Sequence, residues 1–97
     1  MSKFDQAKML MKVRKIQKEL ERKTLSIEKG DGAVKVEISG DQKIKSIKLD
    51  PALIDFEDIE QLEFWIAEAV REAISTSQKI ATQKMQPMMG ALGDLGL

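Results

Sequence analysis

The sequence predicts an α+β fold in the order helix, strand, strand, strand, helix, with a three-stranded antiparallel sheet and two long helices. Three observations carry this. Residues 3–23 and 55–85 hold apolar side chains at helical spacing, and residues 24–49 switch to strict alternation. Turn-forming residues fall where the period changes.

The first helix is expected over about residues 3–23, where no Gly or Pro interrupts and Ser2 with Asp5 gives a capping-box-like start. Its apolar residues form two stripes. Met9, Val13, Ile16 and Leu20 share one face, and Phe4, Ala7, Leu10 and Met11 lie on another. One stripe suits the helix's own domain and the other a second surface, unless the N-terminal turn simply frays. In the strand region Leu25 and Ile27 alternate with polar residues, Lys29-Gly30-Asp31-Gly32 supplies a turn, and Val34, Val36 and Ile38 follow. Gly40-Asp41 marks a second turn before Ile47 and Leu49. Ile44 has the wrong parity for that strand, which predicts a bulge or a longer turn near Lys45. Three strands with one apolar face need helices laid across it.

Asp50-Pro51 reads as an N-cap followed by a proline in the first helical position, opening one short turn. The long helix is expected from about residue 55, with Glu57, Asp58 and Glu60 in its first turns, to about residue 85, ahead of Pro87. About 28 helical residues span ~42 Å, more than the ~34 Å width of a compact chain of this size. The last turns therefore overhang, and a second copy of the chain is the expected cover. The organisation is thus one domain over residues 1–86 and a flexible tail over residues 87–97, where Gly and Pro accumulate.

Composition narrows the chemistry. The chain has no His, Cys or Tyr, which removes the usual general bases, imidazole ligands and thiol nucleophiles. No catalytic residue, metal site or cofactor is expected, and the chain reads as not an enzyme. No apolar run approaches the ~18 residues of a membrane span, and Lys3, Asp5 and Lys8 break any signal-peptide pattern, so the expected location is the cytoplasm. The formal net charge of zero hides a split: residues 1–48 carry 13 Lys/Arg and 7 Asp/Glu, residues 49–97 carry 3 and 9. Such asymmetry can steer one face toward a polyanion or hold halves or chains together.

Lys8, Lys12, Lys15, Lys18 and Arg22 fall within about 120° around the first helix and extend over ~21 Å, comparable with about six phosphates of one DNA strand. Flexible cations in such a row suit sequence-independent phosphate contacts. The other reading is a solvated helix face. Lys35, Lys48, Lys43 and Lys45 on or near the sheet's outer face are more in keeping with edge protection. Asp50, Asp55, Glu57, Asp58, Glu60 and Glu63 surround a helix start, where negative charge is favoured without any cation. Ser75-Thr76-Ser77 allows close approach of another helix or bonding to the preceding turn, and Trp65 fits core packing or an interface anchor.

The layout resembles the YbaB/EbfC family of bacterial nucleoid-associated proteins. The resemblance spans roughly residues 4–85 and rests on Gly32-Ala33-Val34-Lys35-Val36-Glu37-Ile38-Ser39-Gly40, then Ile47-Lys48-Leu49-Asp50-Pro51, Leu53, Leu62, Ala69 and Ala73, and Lys84-Met85. The Met/Lys-rich opening helix and the Met/Gly/Leu tail also match. It implies a homodimer with helical arms projecting like tweezers, non-catalytic binding of double-stranded DNA with low sequence preference, and a place in the nucleoid. Nucleoid organisation, gene regulation and DNA repair are the roles it implies. The DNA contacts carried over are Lys8, Lys12, Lys15, Lys18 and Arg22. The second reading of the sequence is a protein-interaction adaptor, whose acidic half or long helix docks a repair or replication protein.

Overall fold

The structure, a computed structural model, describes residues 3–94 of the 97-residue chain, with side chains through residue 88. The order is α1 (Lys3–Arg22), β1 (Thr24–Lys29), β2 (Val34–Ser39), β3 (Ile44–Leu49), a single 3₁₀ turn (Pro51–Leu53) and α2 (Ile59–Asp94). The strands form one antiparallel sheet in the order β1-β2-β3. The expected bulge is present: Glu37 pairs with Ser46 and Ile38 with Ile44, so Lys45 is the extra residue. Asp50 caps the 3₁₀ turn, its carboxylate accepting the Ala52 N–H at 3.0 Å.

α2 begins at Ile59 rather than near residue 55. The Asp55 carboxylate accepts the Glu57 N–H (2.9 Å) and the Asp55 carbonyl accepts the Asp58 N–H, which fixes residues 55–58 as a turn. The Asp58 carboxylate then accepts the Gln61 N–H at 3.2 Å and caps the helix. At the other end α2 passes through Pro87 to Asp94, so the tail expected over residues 87–97 is helical through residue 94. Proline removes one donor and crowds the carbonyl four residues back, at a cost of about 3 kcal/mol. Met85, Gln86 and Met88 are good helix formers. Met88 is also buried, one turn beyond Lys84, which pairs with Glu19 of α1. Tertiary packing carries the helix past the proline. Ser2, read as a cap, and residues 95–97 lie outside the described residues.

The core is a row of Val34, Val36 and Ile38 on β2 against Ala69 and Ala73 on α2, flanked by Leu25, Ile27, Leu62, Trp65, Ile66 and Val70. Ala69, Ala73 and Ser77 are fully buried and one turn apart, so small side chains bring α2 close to the strand. Two glycines allow further close approaches. Gly30 has φ +64°, and a Cβ there would lie 2.7 Å from the Trp65 ring. A Cβ on Gly40 would meet the Leu20 carbonyl at 2.8 Å, the same oxygen to which the Gly40 N–H donates at the end of α1. Trp65 is thus a packing residue, half-buried over the β1–β2 turn.

Ser77 does something that neither packing nor back-bonding along its own helix predicts. Its buried hydroxyl donates to the Ser39 carbonyl (2.8 Å) and accepts from the backbone N–H and side-chain amide of Gln42 (3.1 Å each). Gln42 is held in the left-handed region at φ +64°. Ser77→Ala should strand these groups and cost about 2–3 kcal/mol, read as a fall in Tm of about 10 °C or more. A change below about 2 °C would show that the clamp contributes nothing.

α2 covers only part of the sheet. Its extensive contacts are with β1 and β2. Glu72 pairs with Lys29 of β1, and Ser77 grips the β2–β3 turn, which fixes which side of the helix faces which strand. On the β3 side, Ile44, Ile47 and Leu49 remain 41–46% exposed, beside Leu53 and Ile59 at 47% and 46% and Ile74 at 36%. The inner face of the sheet is half uncovered.

Candidate nucleic-acid interface

α1 lies against the distal half of α2, and the two helices extend beyond the sheet in a body measuring 64 × 21 × 14 Å. Met9, Val13, Ile16 and Leu20 form the packed face of α1, with Leu20 buried and the other three half-buried. The rest of the helix surface, from the flank of that stripe round to its far side, looks into solvent. Lys8, Lys12, Lys15, Lys18 and Arg22 are all exposed there, as the sequence predicts. Arg14 belongs with them: Met11, Arg14, Lys15, Lys18, Glu19 and Arg22 line one open groove along the helix. The spacing of Arg14 to Lys18 (i, i+4) was the available signal for it.

Ion pairing separates this surface from the other basic one. On the sheet's outer face Glu37 takes both Lys48 (3.4 Å) and Lys35 (3.8 Å). Lys48 first, then Lys35, holds the Glu37 carboxyl below its ordinary range. Asp41 takes Lys43 at 3.5 Å, and its carboxyl is also lowered, first by the Ser39 hydroxyl and then by Lys43. Lys45 donates to the Thr24 hydroxyl at 2.6 Å. Lys29 is bound to Glu72 at 2.7 Å, and this contact raises its pKa. Among the described residues, no ion pair engages Lys8, Lys12, Arg14, Lys15, Lys18 or Arg22. Glu19, the carboxylate within their groove, is drawn toward Lys84 of α2 at 3.5 Å. Cations without partners are the ones available to phosphates.

The distal half of α2 is polar and short of acid as well. After Glu72 the next acidic residue is Asp94, and between them stand Lys79, Lys84 and several Ser, Thr and Gln residues. Ser75, Gln78, Lys79, Thr82 and Gln83 line an open polar groove on it. Counting charge by halves of the chain conceals this, because every acidic residue but one in the second half precedes Ala73. The two helices therefore form an arm rich in cations and hydrogen-bonding groups. Among the described residues no cluster of three or more carboxylates, His or Cys could hold a metal ion. No described helix is long and apolar enough to cross a membrane.

An α-β-β-β-α chain with such an arm falls in the class of small proteins suited to a polyanionic partner. The profile of the YbaB/EbfC DNA-binding family matches residues 1–92. A nucleoid-associated protein of Moorella thermoacetica is 41% identical over 80% of this chain and 75% of its own length. One from Ruminiclostridium cellulolyticum is 35% identical over 91% and 76%. The crystal structure of an uncharacterized protein from Helicobacter pylori superposes with a TM-score of 0.77, covering 86% of this chain and 87% of that one at 16% identity, which supports the fold alone. The chain belongs to the YbaB/EbfC DNA-binding family.

Proposed function

We propose that the protein is a non-catalytic nucleoid-associated protein that binds double-stranded DNA as a homodimer, with little sequence preference, through the α1 arm. The observation that carries this reading is the row Lys8, Lys12, Lys15, Lys18 and Arg22, exposed and without ion-pair partners among the described residues, while the lysines of the sheet are engaged. Ammonium groups on flexible stems recognise phosphates as point charges and do not distinguish bases. The absence of His, Cys and Tyr from the sequence supports a binding role over a catalytic one. The name that the bacterial relatives carry, nucleoid-associated protein, supports a place in the nucleoid, hence the cytoplasm; nucleoid organisation, gene regulation or DNA repair is the role proposed with it.

The half-covered sheet supports the homodimer. Ile44, Ile47 and Leu49 of β3 stay exposed, as do Ile59 and Ile74 of α2, so apolar surface is left on both elements at this side of the sheet. A second copy related by a two-fold axis would lay the same surface against it, leaving both arms free as two prongs. Two prongs on one duplex bind with an effective concentration that a single arm lacks.

The test is duplex binding by fluorescence anisotropy across a salt series with two unrelated sequences. Binding should fall steeply with salt, with a log–log slope of about −0.9 per phosphate contacted, and differ by less than about threefold between sequences. No binding at low salt would defeat the reading.

A further inference from the structure

The geometry points to a second ligand for the arm: the acidic, aromatic tip at the opposite end of another copy, so that protomers of neighbouring assemblies dock head to tail. Charge in this neutral chain is separated along its long axis. Residues 50–72 hold eight Asp/Glu against one Arg. Residues 3–23 hold eight Lys/Arg against three acids, and residues 73–93 hold two Lys and no acid. The sheet between them is nearly balanced, with five Lys against four acids over residues 24–49. The order along the body follows from contacts. Leu53 and Trp65 stand at the β1–β2 turn, Leu20 and Ser77 meet the β2–β3 turn, and α1 with the distal part of α2 continues beyond. In a body 64 Å long and 21 Å wide, the two charge sets occupy opposite ends.

Both ends also expose apolar side chains that no element covers among the described residues. At the tip these are Phe56 (66% exposed) and Phe64 (61%); on the arm they are Phe4 (81%) and Met11 (69%). Phe64 lies on the side of α2 turned away from the buried row Ala69, Ala73 and Ser77, so the apolar surface at β3 does not use it. Aromatic and Met side chains ringed by charge of opposite sign on the two surfaces have the make-up of an interface core and rim. A second copy is the occupant the chemistry favours, because its arm supplies the matching charge and a net charge of zero leaves no overall repulsion between copies. Tip-on-arm contact is heterologous and does not close on itself, so it propagates into chains.

Sedimentation velocity of the nuclease-treated full chain tests this without DNA. At ~0.02 M salt, where the Debye length is ~20 Å, species larger than those present at ~0.5 M salt, where it is ~4 Å, should grow with protein concentration. Glu60→Lys with Glu63→Lys, and separately Lys8→Glu with Lys12→Glu, should each weaken this growth at least tenfold. An equal mixture of the two variants should restore it, since the reversed tip of one meets the reversed arm of the other. Absence of larger species at low salt overturns the inference and leaves the tip to a basic partner of another kind. Growth indifferent to the reversals, or not restored by mixing, overturns it as well. A protein that self-docks but ignores duplexes, or binds duplexes without self-docking, separates this inference from the DNA-binding reading.

Discussion

Replacing Lys12, Lys15 and Lys18 with Glu should lower duplex affinity at least 100-fold at moderate salt, while Lys35→Gln with Lys48→Gln should change it less than about threefold. The contrast follows from where each cation already spends its charge. The three on α1 are exposed, with no ion pair among the described residues. Lys35 and Lys48 share Glu37, whose lowered pKa records the attraction. Exposed charge contacts contribute only ~0.5 kcal/mol each, but three in each protomer of a dimer sum to ~3 kcal/mol, about 100-fold, before the new carboxylates add repulsion. The salt slope should shrink by about one for each phosphate that is no longer neutralised. All three positions lie on the solvent face of α1, so the circular dichroism spectrum and Tm should move little. If the sheet pair weakens binding as much as the arm triple, the interface lies on the sheet.

Much of the fold can be read in the sequence because it depends on local periods. Alternation over Val34, Val36 and Ile38 predicts β2, and the misplaced parity of Ile44 locates the bulge at Lys45. Asp50-Pro51 is a cap because the aspartate and the proline act on their immediate neighbours. The start of α2 is less legible: Asp55 and Asp58 are both good caps, and only the turn closed by Asp55 decides between them. Its end is illegible locally, since Pro87 argues for a stop and the buried Met88 overrides it. The site divides the same way. The row from Lys8 to Arg22 is a helical repeat and therefore visible, whereas its freedom depends on Glu19 being held by Lys84, 65 residues away in the chain. The Ser77 clamp on Gln42 and the uncovered strip of β3 are also products of packing between distant segments.

That uncovered strip leads to the second large effect. Ile47→Asp combined with Ile74→Asp should convert a dimer into a monomer of 10.9 kDa, with the dimer dissociation constant raised more than 100-fold in light scattering or sedimentation equilibrium. Ile47 and Ile74 are 46% and 36% exposed in the single chain, so each keeps roughly 1 kcal/mol of unburied apolar surface to contribute, and a two-fold interface counts each residue twice. A carboxylate placed there would be desolvated without a partner on dimerisation, which adds several kcal/mol against association. Neither position belongs to the fully buried row that holds α2 on β2, so each monomer should remain folded. Because neither residue lies on α1, the loss of DNA affinity should come chiefly from separating the arms, the new carboxylates adding a smaller, longer-range repulsion. That loss should reach about 10²-fold, the factor gained when two linked sites bind one ligand, while the salt slope falls toward half its value. A variant that becomes monomeric yet binds duplexes as tightly as the parent would show that one arm suffices, and a variant that stays dimeric would place the two-fold contact elsewhere.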